Sequence, residues 1–147
     1  MESVLVGVDH SDGARRAAHF TLSRADVNSW RVTLVHVVNW SRFSFNTPED
    51  NELRPIRKRQ EIEHAQEHIL DPIVAEVRQS EFPNVVGLET AIYHGQPSEV
   101  LSDLAGEAGH DLIVVGRTGE SKFKEAIFGS VPSRLVQYAP VPVVVVP

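Results

Sequence analysis

Five short runs of β-branched and aliphatic residues punctuate the chain: Val4–Val8, Val32–Val38, Leu88–Tyr93, Leu112–Val115 and Val141–Val146. Four of them are almost continuously apolar, without the in-and-out alternation of a half-exposed strand. Strands that bury both faces read this way, and parallel sheets covered by helices bury both faces. Between the runs the period lengthens to that of a helix. Ala14, Ala17, Ala18, Leu22 and Ala25 recur at helical spacing after the first run, with Ser11 placed to cap them. Val100, Leu101, Leu104, Ala105 and Ala108 do the same after the third, opened by Pro97 and followed by Gly109. After the fourth, Ser130 is placed to cap a helix through Val131, Leu135 and Val136, stopped by Pro140.

The middle segment is less regular. Ile62, Ala65, Ile69, Ile73 and Val77 share a helical face, but Pro72 interrupts it. Proline lacks the N–H of the ladder and its ring clashes with the preceding turn, so a kink or a break is expected there. Asp71-Pro72 would then be the cap and first position of a second helix. Trp40 to Pro55 has no clear periodicity and reads as a long polar insert after the second strand. The order β-α-β-α-β-α-β-α-β predicts an α/β fold: one domain over residues 1–147, with a five-stranded, doubly wound parallel sheet and right-handed crossovers.

Composition narrows the chemistry. The chain has no cysteine, so disulfides, zinc-thiolate sites and cysteine nucleophiles are excluded. A formal net charge of −6 argues against a nucleic-acid partner, whose phosphates demand a basic face. The one basic cluster, Arg54, Arg57, Lys58 and Arg59, is followed by Glu61, Glu63 and Glu67 and reads as a solvated helix start. The chain opens directly into its first apolar run, without a charged leader, and Val143–Val146 is too short to span a bilayer. A cytoplasmic protein without a membrane partner is therefore expected.

In open parallel sheets, ligands bind beyond the carboxyl ends of the strands, near the point where strand order reverses. The residues to watch are Asp9 after the first run, Asn39 after the second, His94-Gly95 after the third and Gly116 onward after the fourth. The last carries the strongest signal: Gly116-x2-Gly119-x9-Gly129-Ser130, set between a strand and a helix start. Glycine lets backbone amides approach a phosphate, and a helix start offers free N–H donors and a positive dipole end. The same residues can also be turn glycines and a cap. Asp9 can face a ligand or cap the next helix. Lys122 and Lys124 can screen phosphate charge or merely solvate a loop. His36, inside an apolar strand, reads as a packed core residue.

Other motifs are absent or weak. No P-loop Gly-x4-Gly-Lys-Ser/Thr and no Gly-x-Gly-x2-Gly occurs. A response-regulator receiver would carry paired acidic residues after the first strand and an aspartate after the third, where this chain has Asp9 alone and Tyr93-His94. His64-Ala-Gln-Glu67-His68 fits H-x-x-E-H, but no third ligand is evident, so it reads as the polar flank of an amphipathic helix and no metal site is assigned.

The motif resembles, residue for residue, the nucleotide motif of the ATP-binding universal stress proteins. Val6-Gly-Val8-Asp9, Val35-His36-Val37 and Gly95-x-Pro97 resemble that family in the same order along the whole chain. The resemblance implies a sheet order of 3-2-1-4-5 with ATP, accompanied by Mg²⁺, across the strand ends. It implies that Asp9 and Val37 hold the adenine, that main-chain groups around Val115 and Gly116 meet the ribose, and that Gly119, Gly129, Ser130 and Val131 bind the phosphates. Val8 and Arg117 complete the nucleotide-binding set, Arg117 being the nearby cation, and no catalytic residue is assigned. The resemblance also implies a homodimer through Val141–Val146, an exposed edge strand. Pro132 departs from the commonest pattern, at a helical position that tolerates proline. The functional readings are a nucleotide-controlled module that engages a partner protein in the stress response, a slow Mg-dependent ATPase, and a nucleotide-independent dimeric scaffold.

Overall fold

A computed structural model describes residues 2–39, 48–79, 82, 85, 87–117 and 130–147. Five strands form one parallel sheet: β1 (Ser3–Gly7), β2 (Arg31–Asn39), β3 (Gly87–Gly95), β4 (Leu112–Gly116) and β5 (Val143–Val146). Their spatial order is β3-β2-β1-β4-β5. The described helices are α1 (Asp12–Asn28), α2 (Pro48–Ala65), α3 (Asp71–Arg78), α4 (Pro97–Glu107) and α5 (Ser130–Tyr138). The doubly wound α/β fold and its strand order are those expected.

The apolar runs bury both faces of the sheet. Successive strand residues point to opposite sides. Val4, Val6, Val32, Leu34 and Val114 face α1 and the α2–α3 arm, while Leu5, Val35, Val37, Ile113 and Val115 face α4 and α5. Leu5, Leu34 and Ile113 have no exposed surface, and each such side chain contributes roughly 1.5–3 kcal/mol by leaving water. Ser11 caps α1 as expected, its hydroxyl oxygen accepting from the N–H of Ala14 at 3.1 Å. Pro97 opens α4 behind Gln96, whose side chain accepts from the N–H of Glu99.

Three expectations are corrected. Residues 48–55 of the supposed insert are the first turns of α2, while residues 40–47 lie outside the described residues. No periodicity marked this stretch because Glu52 to Gln60 are exposed all round, so no apolar stripe was needed. Pro55 sits inside this helix at the loss of one ladder bond.

Of the kink or break expected at Pro72, the break does not occur. The chain stays helical through a π-helical turn, Gln66–Leu70, and passes directly into α3. Asp71 is itself helical; its N–H bonds the Gln66 carbonyl five residues back, and the Gln66 amide donates to Asp71 Oδ1 at 2.7 Å. Widening the turn accommodates a ring that an α-turn would reject. It also places Leu70, unforeseen, in the core with Ala65, Ile69 and Ile73. Finally, β5 begins at Val143 rather than Val141. Pro142 has no N–H to give, though its carbonyl accepts from Ile113 at 3.0 Å.

Candidate functional site

The carboxyl ends of β1, β2 and β4 open onto a cleft of about 410 Å³, within the range of small-molecule sites. Helices α1, α4 and α5 contribute their amino-terminal ends to its wall through Ser11, Pro97 and Ser130. Strand order reverses here, between β1 and β4.

Past β1 the chain is held tightly. Val8 extends the ladder by one bond, its N–H reaching the Val35 carbonyl at 2.8 Å. The Val8 carbonyl accepts from Nδ1 of His36, also at 2.8 Å. Asp9 Oδ1 then accepts from the N–H of Ser11 at 2.8 Å and from its hydroxyl. Asp9 is thus not the cap itself; it orients the serine that is. Across the cleft, β4 runs against α1 so closely that a Cβ on Gly116 would lie 2.7 Å from the backbone C and O of Gly13. Gly116 is therefore required by packing, whatever it offers a ligand. Gly95 takes a φ of +149°, and a Cβ there would meet Val100 at 2.9 Å.

Of the residues expected to hold a nucleotide, Val8, Asp9, Val37, Val115, Gly116, Ser130 and Val131 line this one cleft. Arg117 does not; it is exposed, and its N–H goes to the Val146 carbonyl at 2.7 Å. Gly119, Gly129, Lys122 and Lys124 lie outside the described residues. Asn39 lines the cleft and His94 does not. Pro132 sits buried in the first turn of α5, also on the wall. Ser11, His36 and Leu101 were read only as a cap, a core residue and part of a helical pattern, yet all three line the site. The signal for His36 was its polarity in an apolar strand, one residue before Val37.

The described lining has one carboxylate, Asp9, and neither lysine nor arginine. An anion here would be met by neutral donors and by helix amino termini.

His94 turns instead toward α2, its Nε2 lying 3.5 Å from Glu61 Oε2 and its side chain 6% exposed. Burial holds its pKa below the ordinary 6.5, and the neighbouring Glu61 only partly offsets this. Burial likewise lowers His110, whose Nδ1 lies 2.9 Å from the Ser3 hydroxyl. Both groups take a proton more readily when the chain is unfolded. Stability should therefore be flat above about pH 6.5 and fall below it. Urea unfolding from pH 8 to 5 tests this: His94→Gln should reduce the slope, and a wild-type profile flat to pH 5 would refute it. His64 and His68 lie side by side on the arm, ring centroids 4.4 Å apart. Among the described residues, no group of three or more histidines and carboxylates is arranged to hold a metal. No described helix is long and apolar enough to cross a membrane.

The family model described as the universal stress protein family matches residues 1–147. The chain belongs to the universal stress protein family. A protein of Staphylococcus epidermidis bearing the family's name is 27% identical over 146 residues, covering 99% of this chain and 83% of that one. The structure of the universal stress protein UspA from Lactobacillus plantarum is 28% identical, covers 99% of this chain and 97% of that one, and superposes with a TM-score of 0.84. At 23% identity, a family protein from Arabidopsis thaliana solved with AMP bound shares the fold, with a TM-score of 0.65 over 99% of this chain and 91% of that one.

Proposed function

We propose that the cleft binds an adenine nucleotide, ATP with Mg²⁺, and that the bound nucleotide controls how this stress-response protein engages a partner protein. The observation that carries this reading is the convergence of seven residues, from four separate chain segments, on one cleft at the strand-order reversal. A fold neighbour solved with AMP supports the choice of an adenine nucleotide. In this reading Asp9 and Val37 hold the base, the main chain at Val115 and Gly116 meets the ribose, and Ser130 and Val131 meet the phosphates together with Gly119 and Gly129. Val8 and Arg117 complete the set, Val8 from the cleft wall and Arg117 from outside the described lining.

The donor set suits this ligand. With no cation among the described lining residues, phosphate charge would be met by N–H groups, the Ser130 hydroxyl and helix dipoles. Mg²⁺ would then be held chiefly by the phosphates, neutralising charge that the wall cannot. Nucleotide control requires unequal affinity for two surface states, so a partner should bind the loaded and empty forms differently.

Natively purified protein, denatured and analysed by mass spectrometry, should release an adenine nucleotide. Titration with Mg·ATP should saturate, and Ser130→Ala should weaken it roughly fivefold, the worth of one hydrogen bond near 1 kcal/mol. Protein that neither carries nor takes up ATP or AMP would defeat the reading and leave a nucleotide-independent scaffold.

The edge position of β5, with Val136 and Tyr138 exposed on the adjoining α5, supports a homodimer through Val141–Val146. Sedimentation should give twice the chain mass, and Val145→Lys should shift it toward the monomer. A monomer at all concentrations would contradict this.

A further inference from the structure

We propose that His36 is a positioning residue of the cleft, fixing the Val8–Asp9 turn and the main chain of Val37 for the nucleotide. This inference rests on the adenine-nucleotide reading and assigns it a residue that touches the wall from within β2. The geometry begins with the 2.8 Å contact between His36 Nδ1 and the Val8 carbonyl oxygen. A carbonyl only accepts, so Nδ1 carries a proton and donates it.

The acceptor is a significant one. Pairing between β1 and β2 ends at Gly7 and Val35. Were the parallel ladder to run one step further, the Val8 carbonyl would take the N–H of Val37. The imidazole occupies that carbonyl instead, and Val37 stands on the cleft wall. Both backbone groups of Val8 are thereby tied to β2, the N–H through the main chain of Val35 and the carbonyl through a side chain. The next residue is Asp9, which holds Ser11, which caps α1. One ring thus fixes the turn that carries the cleft's carboxylate. His36 and Val38 also border a second, more open cleft against α2, beside Gln60 and His64, so the ring lies on a wall common to both.

Asparagine and leucine separate positioning from bulk. The amide nitrogen of asparagine can occupy the place of Nδ1 and donate to the same carbonyl; leucine has similar size and no donor. His36→Leu should lower affinity for Mg·ATP about tenfold, the cost of leaving the Val8 acceptor unmet in a buried place, whereas His36→Asn should stay within about threefold of wild type. The leucine variant should also exchange the Ser11 amide proton faster, and the asparagine variant should not. Imidazole ¹⁵N spectra of the wild type give a readout that needs no nucleotide: a protonated Nδ1.

Equal binding by wild type and the leucine variant would overturn the inference while leaving the nucleotide reading intact. Absence of ATP binding by the wild type would overturn the nucleotide reading, and this role with it, even with Nδ1 protonated. If the leucine variant does not fold, an Nδ1 without a proton, or an asparagine variant that has lost binding, overturns the inference equally.

Discussion

Valine at Gly116 should destabilise the protein by about 3 kcal/mol and lower its Tm by roughly 6–12 °C. The new side chain would start 2.7 Å from the backbone C and O of Gly13 and 3.1 Å from its Cα. Those atoms belong to the first turn of α1 and cannot rotate aside as a side chain would. The helix must move off the sheet, and its start carries Ser11 and adjoins Asp9. Nucleotide binding should therefore be lost as well, even in the folded fraction. Gly106 in α4 is the control. A Cβ there meets only Pro140 at 3.6 Å, an ordinary contact. Gly106→Ala should stabilise by about 0.5–1 kcal/mol, because alanine favours the helix. Urea unfolding of the two variants decides the matter: Gly116→Val within 1 kcal/mol of wild type would mean that α1 and β4 do not approach this closely.

Removing the Asp9 carboxylate should weaken folding and binding together. Asp9→Ala deletes an acceptor that receives both the N–H and the hydroxyl of Ser11. Bonds to a charged acceptor are worth about 1.5–3 kcal/mol when buried; this site is half-exposed, so a loss of about 1–2 kcal/mol in stability is expected. Ser11 would then lose the orientation in which it meets Ala14, and affinity for Mg·ATP should fall at least roughly tenfold. Asp12, in the same first turn but exposed, is the comparison. Asp12→Ala should cost no more than about 0.5 kcal/mol, through the helix dipole alone, and leave binding unchanged. Equal effects of the two substitutions in calorimetric titration would remove the special role given to Asp9.

Both predictions turn on details that periodicity does not carry. Continuous apolar runs marked four of the five strands because burial on both faces is written directly in Val, Leu and Ile; β3, with Glu89 and Thr90 in its run, was marked by its β-branched and aromatic residues instead. Ser11 and Pro97 marked two helix starts because caps are local chemistry. Alternation of the elements then pointed to a doubly wound parallel sheet, while its strand order came from the family resemblance. Residues 48–55 escaped because an exposed helix needs no apolar face. The helical path through Pro72 escaped because a π turn relieves the clash without leaving a trace in residue type. At the site, Asp9, Ser130 and the ends of the strands were legible from position alone. Gly116 was legible as a glycine, but its reason was not: the backbone that forbids a side chain belongs to Gly13, over a hundred residues away. His36 was misassigned to the core for a similar cause. Its partner is the carbonyl of Val8, and a main-chain partner on a neighbouring strand has no signature in the sequence.

The central claim is that an adenine nucleotide sits at the carboxyl ends of β1, β2 and β4. Titrating Mg·ATP into ¹⁵N-labelled protein while following backbone amide resonances tests it most directly. Saturable shifts at Val8, Asp9, Val37, Gly116 and Val131, with the amides of α2 little changed, are the predicted result. Resonances that stay in place up to millimolar ATP, or shifts confined to residues away from the cleft, would contradict it.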